Sequence, residues 1–225
     1  MTTDKAHGRR IGLLLIGQMA AALIFPFVLI NALVKGYPDF LTAAPASAGF
    51  IRGGVALGVV GAAFTLALAV AMLPVLRQYS RHAAILFIVV CGISSALDLV
   101  HNASVLSMLG AAEQLFAKAD ANNIGVYQAW GAAAASFRRS IHIMQLVAIA
   151  GWMSTFYVSL FRYRIIPRAL ALLGIAGIVS QFVGVTLMMF LGDNTITYLA
   201  IPLAPIQLIV AGYLIVRGAR VNIER

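Results

Sequence analysis

The sequence predicts an all-α protein, an integral membrane bundle of six transmembrane helices with both termini cytoplasmic, and three observations lead there. Of 225 residues, 62% are hydrophobic and 10% charged, with a mean hydropathy of +0.96. A soluble domain carries about 25% charged residues, so a water-exposed globule is excluded. Six apolar stretches, at 11–34, 54–76, 83–109, 139–160, 169–191 and 197–216, are each long enough to cross about 30 Å of hydrocarbon as a helix. Lys and Arg cluster at the ends of these stretches. The stretches use up more than half the chain, so residues 1–225 are expected to form a single membrane domain.

The first stretch follows Lys5, Arg9 and Arg10, and the small-residue patterns Ala44-Pro45-Ala46 and Ala46-Ser47-Ala48 lie beyond it. A signal peptide has an apolar region of only about 7–15 residues, so this run is expected to be a retained first helix. Pro26 removes a backbone donor inside it and should kink it. Loop one, residues 35–53, carries Gly36, Pro38, Pro45 and Gly49 with Tyr37, Phe40 and Phe50 between them. It reads as irregular chain on the membrane surface.

In the second span Gly54, Gly58 and Ala62 recur every fourth residue, leaving one helical face without bulk. Another helix of the same chain, or a second copy in a homodimer, could approach there. No strand precedes this stripe and no phosphate ligand follows it, so it is not a nucleotide loop. Loop two, residues 110–137, begins as a short interfacial helix over 111–118. It should break at Asn122, Asn123 and Gly125, with Tyr127 and Trp130 at headgroup level. Pro202 and Pro205 should distort the start of the sixth span.

Six spans return the chain to the side on which it began. That side collects eleven of the 16 Lys and Arg: Lys5, Arg9 and Arg10, Arg77 and Arg81, Arg162, Arg164 and Arg168, and Arg217, Arg220 and Arg225. The other side has Lys35, Arg52, Lys118, Arg138 and Arg139, diluted by Asp39, Glu113, Asp120 and Asp193. The excess of positive charge predicts that both termini face the cytoplasm. The net charge of +9 is therefore a topology signal. Nothing outside the spans resembles a nucleic-acid recognition element, and no nucleic acid is expected as a partner. Cys91 lies within a span and reads as a small hydrophobe.

Asp98 is the one carboxylate inside a span. Such a group costs about 2.5–3.5 kcal/mol on insertion scales, so it needs a partner or a wet cavity. Ser94, Asp98, His101 and Asn102 share one stripe of the third helix, and Arg138 and Arg139 lead into His142 and Gln145 on the fourth. The two stripes lie at the same depth and can meet. One reading is a helix lock, with Asp98 paired to Arg138, Arg139 or His142. A second is a ligand pocket lined by Asp98, His101, Asn102, Arg138, Arg139, His142 and Gln145. A third uses His101 and His142 to hold a metal or haem. A serine hydrolase built from Ser94, Asp98 and His101 is disfavoured, because neighbours on one helix point side by side. Gln18, Asn31, Gln181 and Gln207 read as interhelical hydrogen-bonding groups. His7 and His82 read as solvated or interfacial.

The segment Leu160-Phe161-Arg162-Tyr163-Arg164-Ile165-Ile166-Pro167-Arg168-Ala169-Leu170, continuing through Gly174 to Gly177, resembles the turn, Pro-Arg step and following helix of the bacterial membrane family called domain of unknown function 4386. Arg10-Ile11-Gly12-Leu13-Leu14, Val75-Leu76-Arg77 and Gly212-Tyr213-Leu214-Ile215-Val216-Arg217-Gly218 are similar to it as well. The resemblance implies six helices in the cytoplasmic membrane and brings no catalytic residues with it. The function expected from the residues is a multi-pass, non-enzymatic protein that binds a lipid-like or small apolar ligand, or a partner subunit, through the polar cluster. The alternative is an intramembrane metal- or haem-dependent enzyme or redox protein. A transporter is disfavoured because the spans show no clear internal repeat.

Overall fold

The computed structural model describes residues 2–34, 37–118, 123–191 and 196–221. Lys35, Gly36, Asp120, Asn122, Asp193 and Arg225, which entered the loop and charge readings above, lie outside the described residues. In chain order the elements are β1 (Thr2–Asp4), α1 (Lys5–Ile24), a π-helical turn (Phe25–Leu29), α2 (Asn31–Val34), α3 (Phe40–Ala46), α4 (Ala48–Arg77), α5 (Arg81–Lys118), α6 (Ile124–Arg162), α7 (Arg168–Leu191), α8 (Ile196–Ala200), α9 (Leu203–Arg217) and β2 (Ala219–Val221). Six helical segments are long and apolar enough to cross a membrane: Lys5–Leu29, Ala48–Arg77, Arg81–Leu115, Ile124–Arg162, Arg168–Leu191 and Tyr198–Arg217. Large apolar side chains such as Leu13, Val70, Leu172 and Phe182 stay exposed on their outer faces. In a soluble fold that would be a defect, but for helices apolar all round it is the lipid-facing surface of a multi-pass membrane protein.

The prolines act as expected. Pro26 sits in the π-helical turn, after which the chain bends at Ile30. A turn at Ile201 and Pro202 separates α8 from α9. The loops differ from expectation. In loop one Phe40–Ala46 form α3, where Phe40, Leu41 and Ala44 are buried together, and α4 begins already at Ala48. In loop two the helix expected over 111–118 is present, as a continuation of α5, while Gly125, expected in a break, lies inside α6. Helix α5 runs through Gly110 without interruption to Lys118, and α6 restarts at Ile124. Ala111 and Ala112 are fully buried, and the Ala-rich run 132–135 is the strongest helix former available, so both spans extend beyond their most apolar stretch. At about 1.5 Å per residue α5, with its 38 residues, is roughly 57 Å long.

The chain forms two compact units. The first comprises Met1–Met19, Ala63–Ser95 and Leu146–Arg225. Its core packs Ile11 and Leu15 with Leu68, Met72, Phe87, Cys91, Trp152, Phe156, Tyr157 and Leu214. Gly174 is required there, since a Cβ would strike the Tyr157 ring. Gln207 Nε2 donates to Gln18 Oε1 at 3.2 Å and to the Leu15 carbonyl at 3.3 Å, the interhelical role expected of both glutamines. Antiparallel pairing of β1 with β2, Thr3 opposite Arg220, ties together the two ends of the described chain. Asp4 then caps α1: its Oδ1 accepts the His7 amide at 3.0 Å, and its Oδ2 lies 2.7 Å from His7 Nδ1. The His7 backbone hydrogen bond holds this carboxyl below its ordinary value of 3.8.

The second unit comprises Ala20–Ala62 and Ala96–Gln145. Its core gathers Phe25, Ile30, Leu33, Phe40, Leu41, Ile51, Val105, Met108 and Leu109. The small-residue stripe of α4 is filled from within the chain. Gly54 lies against Leu29 and Ile30, Gly58 against Asn102, and Ala62 is buried. Arg52 Nη2 bonds Glu113 Oε1 at 2.7 Å on the exposed side of this unit.

Candidate functional site

The polar stripes of α5 and α6 meet inside the second unit. Gln145 Nε2 donates to Asp98 Oδ1 at 2.6 Å, and the His101 and His142 rings lie 5.1 Å apart at 34°. These contacts fix the register of an antiparallel pair: 98 stands level with 145, 101 with 142, and therefore 105 with 138. Seven residues, about 10 Å of rise, separate the level of Asp98 from that of Arg138. This overturns the helix lock as expected from sequence: Asp98 pairs with neither arginine nor with His142, but with the Gln145 amide. Arg139 is exposed.

Gln145 links two partners. Its amide nitrogen is committed to the carboxylate, so its Oε1, 3.0 Å from His142 Nδ1, acts as acceptor. His142 Nδ1 therefore carries a proton and donates it to Gln145. On the other helix, His101 is 2% and Asn102 4% exposed. Phe25, in the π-helical turn beside Pro26, sets its ring edge-on to His101 at 5.9 Å and 75°. Asn102 fits against α4 only because Gly58 lacks a side chain; a Cβ there would come within 2.5 Å of Oδ1. The sequence reading missed both residues. Pro26 marked the first indirectly, and Gly58 was visible as part of a packing stripe.

Around this chain of contacts, hydrogen-bonding capacity is left over. Both ring nitrogens of His101, Asn102 Nδ2 and Arg138 Nε are buried without a partner among the described residues. Asn102 and Arg138 contribute donors, and His101 contributes one donor and one acceptor whichever tautomer it adopts. Leaving such a group unpaired costs about 1–3 kcal/mol, so four orphaned atoms on His101, Asn102 and Arg138 are an expensive arrangement for a purely structural cluster. Ser94 Oγ is buried and has no hydrogen-bond partner among the described residues. Among the described residues no group of three or more His, Cys, Asp or Glu is placed to hold a metal ion.

No curated protein and no solved structure matches the chain. The family model described as Domain of unknown function (DUF4386) matches residues 11–218, nearly the whole bundle and all of the cluster, and the chain belongs to that family.

Proposed function

We propose that this multi-pass membrane protein binds a lipid-like ligand whose polar head carries hydrogen-bond acceptors, a phosphate or carboxylate, at the α5–α6 cluster. The observation that carries this reading is the buried, unpartnered donor capacity of His101, Asn102 and Arg138. An acceptor-rich head would satisfy those donors together, and the Arg138 guanidinium would bring charge-assisted bonds. Asp98, Gln145 and His142 then serve as the frame: the Asp98–Gln145–His142 chain orients α6 while its own bonding is internally met. Arg139, being exposed, is left outside the site. The charge distribution along the chain supports placement in a bacterial cytoplasmic membrane with both termini inside.

The test is organic extraction of the detergent-purified protein followed by mass spectrometry, on wild type and on Asn102→Ala and Arg138→Gln variants. A near-stoichiometric lipid or fatty acid in wild type, depleted in both variants, is the expected result. Its absence from wild type, or equal retention in the variants, would overturn the reading. A co-purifying protein chain lost in the same variants would replace the ligand with a partner subunit. A second reading, His101 and His142 as two ligands of a metal or haem, is favoured by the 5.1 Å ring separation and the free nitrogens of His101. Iron or zinc by elemental analysis, present in wild type and lost in a His101→Ala, His142→Ala double variant, would select it.

A further inference from the structure

A recess lies wholly within the first unit, between the start of α5 and the end of α6, with a volume of about 300 Å³. Its α6 wall is two adjacent helical rows, Ser154-Val158-Arg162 and Thr155-Ser159-Tyr163, each stepping by four residues. Ala83 and Leu86 form the α5 wall. Small side chains at positions 83, 154, 155 and 159 open a trough about two helical turns long. Leu86 and Val158 make its sides apolar. At the end nearest the α6 C-terminus the lining changes character. The Arg162 guanidinium stands 5.9 Å from the centre of the Tyr163 ring, and Tyr163 is itself stacked on Tyr79 at 5.0 Å and 11°. Ser159, 5% exposed, lines the trough as well.

The charge around this mouth is of one sign. Arg77 and Arg81 flank the α4–α5 turn, and Arg162, Arg164 and Arg168 the α6–α7 turn. Asp4 is the one carboxylate side chain of this unit among the described residues, and it is engaged by His7. An apolar trough two turns deep below a cationic rim matches an amphiphile with an anionic head, and it sits poorly with a free anion, which would leave the trough empty. We propose that this recess holds one acyl chain of an anionic phospholipid whose phosphate rests on Arg162. It is a site separate from the α5–α6 cluster, and its arginine is a different one.

The test is native mass spectrometry of the full chain in detergent, titrated with phosphatidylglycerol or phosphatidylcholine. One phosphatidylglycerol should bind in preference to phosphatidylcholine, and Arg162→Gln should weaken that event about fivefold, as expected for one arginine at an anionic lipid surface. Arg164→Gln, one residue beyond the lining, should leave it nearly unchanged. Leu86→Trp, at a half-exposed position, should block the trough and remove the bound lipid whatever its head. Circular dichroism and a monodisperse elution profile establish that each variant is folded. Equal binding of the two lipids, or equal effects of Arg162→Gln and Arg164→Gln, would reduce the site to non-specific annular contact and overturn the proposal. Competition by soluble glycerol phosphate as effective as that by the lipid would overturn it in favour of a simple phosphate site. Arg138→Gln, which probes the other cluster, should not move this event.

Discussion

A single methyl group on Gly58 would meet Asn102 Oδ1 at 2.5 Å and Nδ2 at 2.7 Å. Both atoms belong to a short, buried side chain that cannot swing clear, so Gly58→Ala should destabilise the protein by about 1–3 kcal/mol, the usual range for overpacking. Gly92 in α5 has nothing within 4 Å of the same construction. Gly92→Ala should therefore be neutral or stabilising by about 0.5–1 kcal/mol, and thermal unfolding of the two variants in one detergent reads the contrast. For Asp98 and Gln145, a double-mutant cycle to alanine should return a coupling of about 1 kcal/mol, within the range found for membrane hydrogen bonds. Zero coupling would show that the bond is not made. The residues of the cluster were legible because a carboxylate, two imidazoles and two amides at helical spacing have few reasons to lie in hydrocarbon. The partner of Asp98 was not. It depends on the register of the α5–α6 hairpin, which is set by where the two helices end.

At the scale of elements, prolines are readable and glycines less so. Pro26 lacks the N–H that an α-helix needs, and the chain answers with a π-helical turn that carries Phe25 onto His101. Pro26→Ala allows a regular helix there. It should raise amide protection over residues 25–30 by hydrogen exchange while lowering ligand retention at the cluster; unchanged exchange would mean the bulge is imposed by packing alone. Gly110, by contrast, interrupts nothing, because it faces open space on a helix whose neighbours Ala111 and Ala112 are buried. That is why the short helix expected over 111–118 proved to be continuous with the third span. The Asp4 cap gives a pH-dependent element. Its carboxyl is held below its ordinary value, so its contribution is complete above about pH 4 and is lost as pH falls through the lower, folded value. The protection factor of the His7 amide should fall in that window, and Asp4→Asn, which still caps but does not titrate, should flatten the dependence.

For the whole molecule, even spans and strand pairing agree that the ends lie together, as Thr3 opposite Arg220 requires. The side they face rests on charge alone: eleven of the 16 Lys and Arg belong to the terminal side by sequence, against five on the other. Moving cationic side chains across a bilayer is costly, and on that ground we propose that the arginine-rich side faces the cytoplasm. Cys91 is fully buried, so the native thiol contributes little background to surface labelling. A cysteine at Gln128, three spans from the N-terminus and exposed at the start of α6, should react with an impermeant maleimide added to intact bacterial spheroplasts. A cysteine at Thr3 should react only after the membrane is opened. The reverse pattern would place the arginine-rich turns outside, and with them the recess at Arg162. An anionic lipid drawn from the cytoplasmic leaflet would then be the wrong occupant, so this one labelling experiment tests the topology and the leaflet of the second site together.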